Sequence, residues 1–154
     1  MKAKLFDNQL FVDDRGTFLN VPLDYPKFNF QGKRTYICQN FQSGTVRGFH
    51  YHKKEQKIFI CLKGAAKFAL LPISETDNET IDPYNTLPEV YILSENVPKA
   101  LFIPAGYANA WQGLTNDTLL IGISDVTVEE SIKDDIRFDP EKILEKDVWK
   151  VKWR

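Results

Sequence analysis

Apolar residues recur along this chain in short runs broken by Gly, Pro, Asn or Asp, and most runs alternate apolar with polar positions. That period of two is the signature of half-buried strands. Residues 5–12 predict a first strand and residues 17–21 a second. Between them Asp13-Asp14-Arg15-Gly16 is turn chemistry, so the pair reads as a hairpin. Residues 22–32, rich in Pro and aromatic residues, predict a loop, and residues 33–40 alternate well enough for a third strand. Further strands are predicted at 58–62, 65–72, 89–93, 100–103, 108–114 and 118–124, with turns at Lys63-Gly64, Ser94-Glu95-Asn96 and Pro104-Ala105-Gly106. Residues 74–87 are polar and acidic and predict a surface excursion. After residue 125 the pattern changes. Residues 128–135 are charged and predict a short helix or turn. Asp139-Pro140 breaks it, and residues 141–154 predict a partly helical tail in which Trp149 and Trp153, four apart, dock on one face. Many short strands, Gly/Pro turns and little helix make this an all-β sandwich or barrel.

The 154 residues suit one domain, 1–154, and 43% hydrophobic content is enough for a folded core. A net charge of −1 offers no overall footprint for nucleic acid or an anionic membrane. The N-terminal residues lack an apolar leader and no run spans a bilayer, so a cytoplasmic address is expected. Cys38 and Cys61 lie in apolar contexts and read as buried free thiols.

The chemistry concentrates in Arg47-Gly48-Phe49-His50-Tyr51-His52-Lys53-Lys54-Glu55-Gln56-Lys57, which holds both histidines of the protein. On an extended strand His50 and His52 share a face. The pair reads as metal ligands, as proton-transfer groups, or as a polar patch without function. A metal wants three or four ligands. Glu55 or Gln56 could add a third, and Gly44-x5-His50-x-His52 resembles a metal-binding cupin. No third histidine exists, however, and Asn109 stands where such cupins place one, so no metal is expected. A histidine is a good base near neutral pH, and removing a proton beside a ketone leaves an enolate that needs a cation. Lys57 is that candidate, provided Lys53-Lys54-Glu55 bends, because strand parity otherwise turns it away from His50. Arg47 suits a phosphate or pyrophosphate.

These residues resemble the nucleotide-sugar cupins: the dTDP-4-dehydrorhamnose 3,5-epimerase family and the related dTDP-4-keto-6-deoxyhexose 3,4-ketoisomerases. Asp14-Arg15-Gly16-Thr17-Phe18, Gln39-Asn40 before Arg47-Gly48-Phe49-His50, Gln56-Lys57, Ile103-Pro104-Ala105-Gly106-Tyr107-Ala108 and Phe138-Asp139-Pro140 resemble epimerase motifs in order. Lys33-Arg34-Thr35-Tyr36-Ile37 and Arg47 to Lys54 resemble the ketoisomerases. The resemblance implies a cupin-type jelly-roll β-barrel, no cofactor, a homodimer and a nucleotide-diphosphate sugar as ligand. It implies His50 as base, Lys57 as enolate-stabilising cation, and His52 or Tyr107 as acid. It places Arg15, Phe18, Arg34, Tyr36, Gln39, Asn40, Arg47 and Asn109 around the substrate, with Arg15 and Phe18 reaching across a dimer interface. Asn109 replaces the epimerases' second histidine, no tyrosine stands in Leu119-Leu120-Ile121-Gly122 where they keep their acid, and the aspartate that would pair with His50 has no assigned position. The expected activity is inversion of one centre beside the C4 ketone of a 4-keto-6-deoxy sugar. The alternatives are 3,4-ketoisomerisation through His50 and His52, and sugar-nucleotide binding without catalysis.

Overall fold

The computed structural model describes residues 1–21, 23, 29–73, 82–140, 142–143 and 147–150. In chain order the strands are β1 (Lys4–Asp7), β2 (Gln9–Asp13), β3 (Gly16–Asn20), β4 (Arg34–Asn40), β5 (Val46–Tyr51), β6 (Lys57–Lys63), β7 (Ala65–Pro72), β8 (Glu89–Ser94), β9 (Lys99–Ile103), β10 (Tyr107–Gly113) and β11 (Thr118–Ser124). The helix α1 (Val128–Lys133) and the short strand β12 (Ile136–Arg137) follow. Two five-stranded sheets, ordered β1-β9-β6-β11-β4 and β12-β5-β10-β7-β8, face each other; β2 and β3 form a separate ribbon. This is the cupin-type β fold. Among the described residues no helix is long and apolar enough to cross a membrane.

Between the sheets lie Phe59, Phe68, Leu70, Leu93, Leu101, Trp111 and Leu120. The outer face of the first sheet is covered too, where Ile58, Ile60, Phe102 and Ile123 pack under Leu19, Val21 and Phe30. The outer face of the second buries Phe49, Tyr51, Leu71 and Ala108 under Phe138, Ile143, Val148 and Trp149. Burial on both faces explains why β7 and β10 are buried almost end to end and do not alternate. It also explains the docking of Trp149, whose ring lies 6.1 Å from that of Phe49. Trp153 and residues 74–81 of the acidic excursion lie outside the described residues. In the described part of the tail, residues 142–143 and 147–150 are turns and bends; the helix of the C-terminal region is α1.

Two departures from the sequence pattern matter for the site. The first predicted strand is split at Asn8, whose N–H bonds the Pro98 carbonyl at 2.9 Å. β1 therefore joins β9, while β2 pairs with β3. More important, the histidine stretch is not one strand. β5 ends at Tyr51 in one sheet, and β6 starts at Lys57 in the other. Residues 52–56 carry the chain across the gap between them. Asp125 fixes this crossing by accepting from the Gln56 N–H at 2.7 Å and from its amide Nε2 at 2.9 Å. Asp134 accepts from the Lys54 N–H at 2.9 Å.

Candidate active site

A cavity of about 270 Å³ opens between the sheets. Arg34, Tyr36 and Cys38 on β4 and Lys57 and Phe59 on β6 line it from one sheet; Arg47 and His50 on β5 and Asn109 and Trp111 on β10 line it from the other. His52 from the crossing, Ser131 and Ile132 from α1, and Asp135 complete its wall. Lys57 shares this cavity with His50 because the crossing removes the parity problem of a continuous strand. Three cations beside aromatic surface suit an anionic ligand with an apolar body.

His50 is set by backbone packing. Gly48 has φ of 126°, and a Cβ there would lie 2.6 Å from Ala110 Cα, so only glycine lets β5 approach β10 this closely. Asn109 sits opposite His50 in the register, and its Nδ2 donates to the His50 carbonyl at 3.0 Å. The imidazole is oriented by Asp135, whose Oδ1 lies 2.9 Å from His50 Nδ1. Asp135 reaches it because β12, which follows at once, pairs with β5 and places Arg137 against His50. Burial would raise the Asp135 carboxyl, but the hydrogen bonds from His50 and Arg137 outweigh it and hold it below the usual range. An ionised carboxylate only accepts, so Nδ1 carries a hydrogen, and Nε2 is the nitrogen left to exchange a proton with the cavity.

His52 is set differently. It is 4% exposed. Its Nδ1 lies 3.1 Å from Glu55 Oε2, off the line of a hydrogen bond, and its Nε2 lies 3.7 Å from Asp135 Oδ1. Burial and then the Lys57 ammonium push it below the ordinary imidazole range, against Glu55 and the two aspartates, so it is neutral at pH 7. The contact with Glu55 is that of a neutral ring beside a carboxylate.

Glu55 is a buried hub. It accepts from Arg34 Nη2 at 2.9 Å and from the Ser131 hydroxyl at 2.7 Å, and it lies 3.7 Å from Lys57 Nζ. Burial would raise its pKa, but Lys57, Ser124, Ser131 and His52 together hold it below the ordinary glutamate value. Burial also lowers Lys57, and Glu55 opposes that. Ser131 is delivered by α1, whose capping box joins Thr127 Oγ1 to the Glu130 N–H and Glu130 Oε2 to the Thr127 N–H.

Several residues expected at the substrate stand elsewhere. Asn40 is fully buried and does not line the cavity; its Oδ1 accepts from Arg47 Nε at 2.7 Å. Gln39 is exposed, and only its carbonyl meets Arg47, at 3.0 Å. Both hold Arg47 at the cavity wall. Tyr107 directs its hydroxyl to Glu89 Oε1 at 3.4 Å, within the core and away from the histidines. Gln56 turns to Asp125. Cys61 is buried as expected, but Cys38 is half-buried and faces the cavity. Arg15 and Phe18 lie on the β2–β3 ribbon beside a separate hollow. Asp135, Ser131 and Glu55 went unassigned in these roles from sequence; the alternation of Ile136, Arg137 and Phe138 was the available signal for a strand carrying Asp135 inward. Among the described residues no group of three or more His, Cys, Asp or Glu side chains is disposed to hold a metal.

Residues 1–140 match the family model described as "FdtA: WxcM-like, C-terminal". The chain belongs to that family. The FdtA/WxcM-like chain is 29% identical over 70 residues to the TDP-4-oxo-6-deoxy-alpha-D-glucose-3,4-oxoisomerase of Aneurinibacillus thermoaerophilus, a match spanning 46% of this chain and half of that enzyme. It is 28% identical over 112 residues to the spore coat polysaccharide biosynthesis protein SpsL of Bacillus subtilis, covering 71% of this chain and 68% of SpsL. Its fold superposes on the dTDP-4-dehydrorhamnose 3,5-epimerase of Bacillus anthracis, solved with TDP and pyrophosphate, with a TM-score of 0.76 at 23% identity over 93% of this chain and 83% of that one. Solved structures that share this fold include that epimerase and the 3,4-ketoisomerase QdtA of Thermoanaerobacterium thermosaccharolyticum, with a TM-score of 0.68 at 22% identity over 88% of this chain and 87% of that one.

Proposed function

We propose that this protein is a cofactor-independent epimerase that inverts one centre beside the ketone of a nucleotide-linked 4-keto-6-deoxy sugar, with His50 as the base. The observation that carries this reading is the His50–Asp135 pair at 2.9 Å, which leaves Nε2 basic beside a cavity that also holds Lys57. His50 Nε2 takes the proton α to the ketone, the electron pair moves to the ketone oxygen, and Lys57 stabilises the enolate. Arg47, braced by Asn40, and Arg34 suit the pyrophosphate. His52 lies with Nδ1 3.1 Å from Glu55 Oε2 and Nε2 3.7 Å from Asp135 Oδ1, and this reading assigns it no proton transfer.

The second reading is 3,4-ketoisomerisation. It is favoured by His52 lining the same cavity and by the match to an oxoisomerase. NMR of the product formed from dTDP-4-keto-6-deoxyglucose in deuterium oxide separates the two. Epimerisation labels C3 or C5 and leaves the ketone at C4; isomerisation moves it to C3. Nucleotide binding without exchange or conversion defeats both and leaves a binding module.

The same reading includes a homodimer. The β2–β3 ribbon exposes Leu10, Phe11, Val12 and Phe18. An isolated two-stranded ribbon is only marginally stable in water, so a second copy is its natural cover. Such a copy would bring Arg15 and Phe18 to the partner's cavity.

A further inference from the structure

Asp135 reaches His50 by way of β12, and β12 has little of its own to keep it in place. It is two residues long, and both Ile136 and Arg137 are exposed. A pairing so short, with no buried side chain, does not hold itself. Upstream, Asp134 is tied to the Lys54 N–H at 2.9 Å. Downstream, the tie is Phe138. Its N–H bonds the Phe49 carbonyl at 3.0 Å, and the Phe49 N–H bonds the Phe138 carbonyl at 3.3 Å. Phe49 precedes His50 in β5 and is fully buried. The Phe49–Phe138 pair thus carries the ladder that brings Asp135 to the imidazole.

That pair is covered from outside by the C-terminal residues. Ile143, 1% exposed, joins Val148, Trp149 and Phe138 over Phe49, Tyr51, Ala69 and Leu71. The Trp149 ring lies 6.1 Å from that of Phe49, and the Phe138 ring 6.1 Å from that of Tyr51. Lys67 of β7 completes the attachment. It is 8% exposed, and its Nζ donates to the Val148 carbonyl at 3.0 Å and to the Lys150 carbonyl at 2.9 Å, on either side of Trp149. A buried ammonium needs acceptors, and here main-chain carbonyls of turns and bends serve. These C-terminal residues lie past those the family model matches, which end at 140.

We infer, resting on the reading of His50 as the base, that residues 142–143 and 147–150 form a latch on the catalytic pair. Lys67 and Trp149 are its positioning residues: they secure the Phe49–Phe138 pair from behind and so keep the Asp135 carboxylate on His50 Nδ1. Neither lines the cavity, so neither touches the sugar. With the latch loosened, the short β12 pairing frays, Asp135 leaves the ring, and the imidazole takes either tautomer. The cations at the other end of the cavity keep their own supports, Arg34 on Glu55 and Ser131, and Arg47 on Asn40. Loss of the latch therefore acts on turnover and leaves nucleotide binding intact.

The test uses the full-length protein with dTDP-4-keto-6-deoxyglucose in deuterium oxide. Lys67→Met and Trp149→Ala should lower kcat for deuterium uptake by about 10-fold or more, with KM and TDP affinity within about twofold of wild type, while Trp149→Phe recovers most of the loss. Lys67→Met leaves the apolar cover whole and carries the test should Trp149→Ala fail to fold. A second readout needs no turnover. The chain has two histidines, so nitrogen-15 shifts of their rings are assigned with His50→Asn. At alkaline pH wild-type His50 should show a protonated Nδ1, and the latch variants should show averaging between tautomers. In an Asp135→Asn background Trp149→Ala should change kcat by less than about threefold, because the group it positions is gone. Unchanged kcat in the latch variants, unmoved nitrogen shifts, an equal loss in both backgrounds, or TDP affinity lost along with kcat in Lys67→Met overturns the latch. A wild type without exchange removes the reading of His50 as base, and the nitrogen shifts alone then decide whether the latch holds the ring.

Discussion

At His50 the decisive fact is which nitrogen is free. Asp135 fixes the hydrogen on Nδ1, so replacing that carboxylate by an amide should let the ring turn or change tautomer. Asp135→Asn is expected to lower kcat by about 10²–10⁴-fold while KM moves little, since the aspartate holds the base and not the nucleotide. Steady-state kinetics on the purified variant read this directly; a change confined to KM counts against it. Lys57 sets a pH limit. Burial, only partly offset by Glu55, lowers its pKa, so it loses its charge below the ordinary lysine value of 10.5. The basic limb of the kcat/KM profile should therefore fall earlier than an unshifted lysine would allow. Lys57→Arg, which stays charged, should move that limb to higher pH, and an unmoved limb would place it on another group.

The crossing from β5 to β6 and the helix α1 act as one unit through Glu55. Removing one partner from a buried charged network costs about 3–5 kcal/mol, so Glu55→Gln should unfold at clearly lower urea concentration than wild type. The sign with pH follows from the lowered carboxyl. Its stabilisation is complete above the unfolded value near 4.5 and disappears as pH falls through the lower folded value. The gap between wild type and Glu55→Gln should accordingly shrink below about pH 4.5; a gap independent of pH would mean that packing and not charge is at work. This element also marks what was legible in the chain. Strands β3, β4 and β6 to β11 follow from short apolar runs and turn residues, β5 reads as extended only conditionally, and Arg47, His50 and Lys57 stood out as chemistry-bearing types. Three things did not follow. Alternation says nothing about a strand that changes sheets, as at residues 52–56. Asp135 meets a histidine 85 residues earlier only through the β12–β5 pairing, which no local pattern specifies. The Tyr36 ring occupies space that a Cβ on residue 122 would need, and that depends on cross-strand register, which the two sequences separately do not reveal. Asn8 shows a smaller case, a polar residue within a strand-like run that ended one strand and began another.

For the whole molecule, the β2–β3 ribbon, with Leu10, Phe11, Val12 and Phe18 exposed, is an apolar surface that a second copy can cover. Light scattering at working concentration should give twice the chain mass, and Phe11→Ser with Phe18→Ser should shift it toward a monomer that has also lost affinity for the nucleotide. A wild-type monomer that turns over normally would remove the partner's Arg15 and Phe18 from the site. The rest of the functional reading depends on one event, abstraction of a sugar proton by His50. Its most direct measurement is deuterium incorporation into dTDP-4-keto-6-deoxyglucose, followed by NMR for wild type and His50→Asn. Label at C3 or C5 with the ketone still at C4, abolished in His50→Asn, is the expected outcome. A ketone moved to C3, or incorporation that survives the loss of His50, contradicts it.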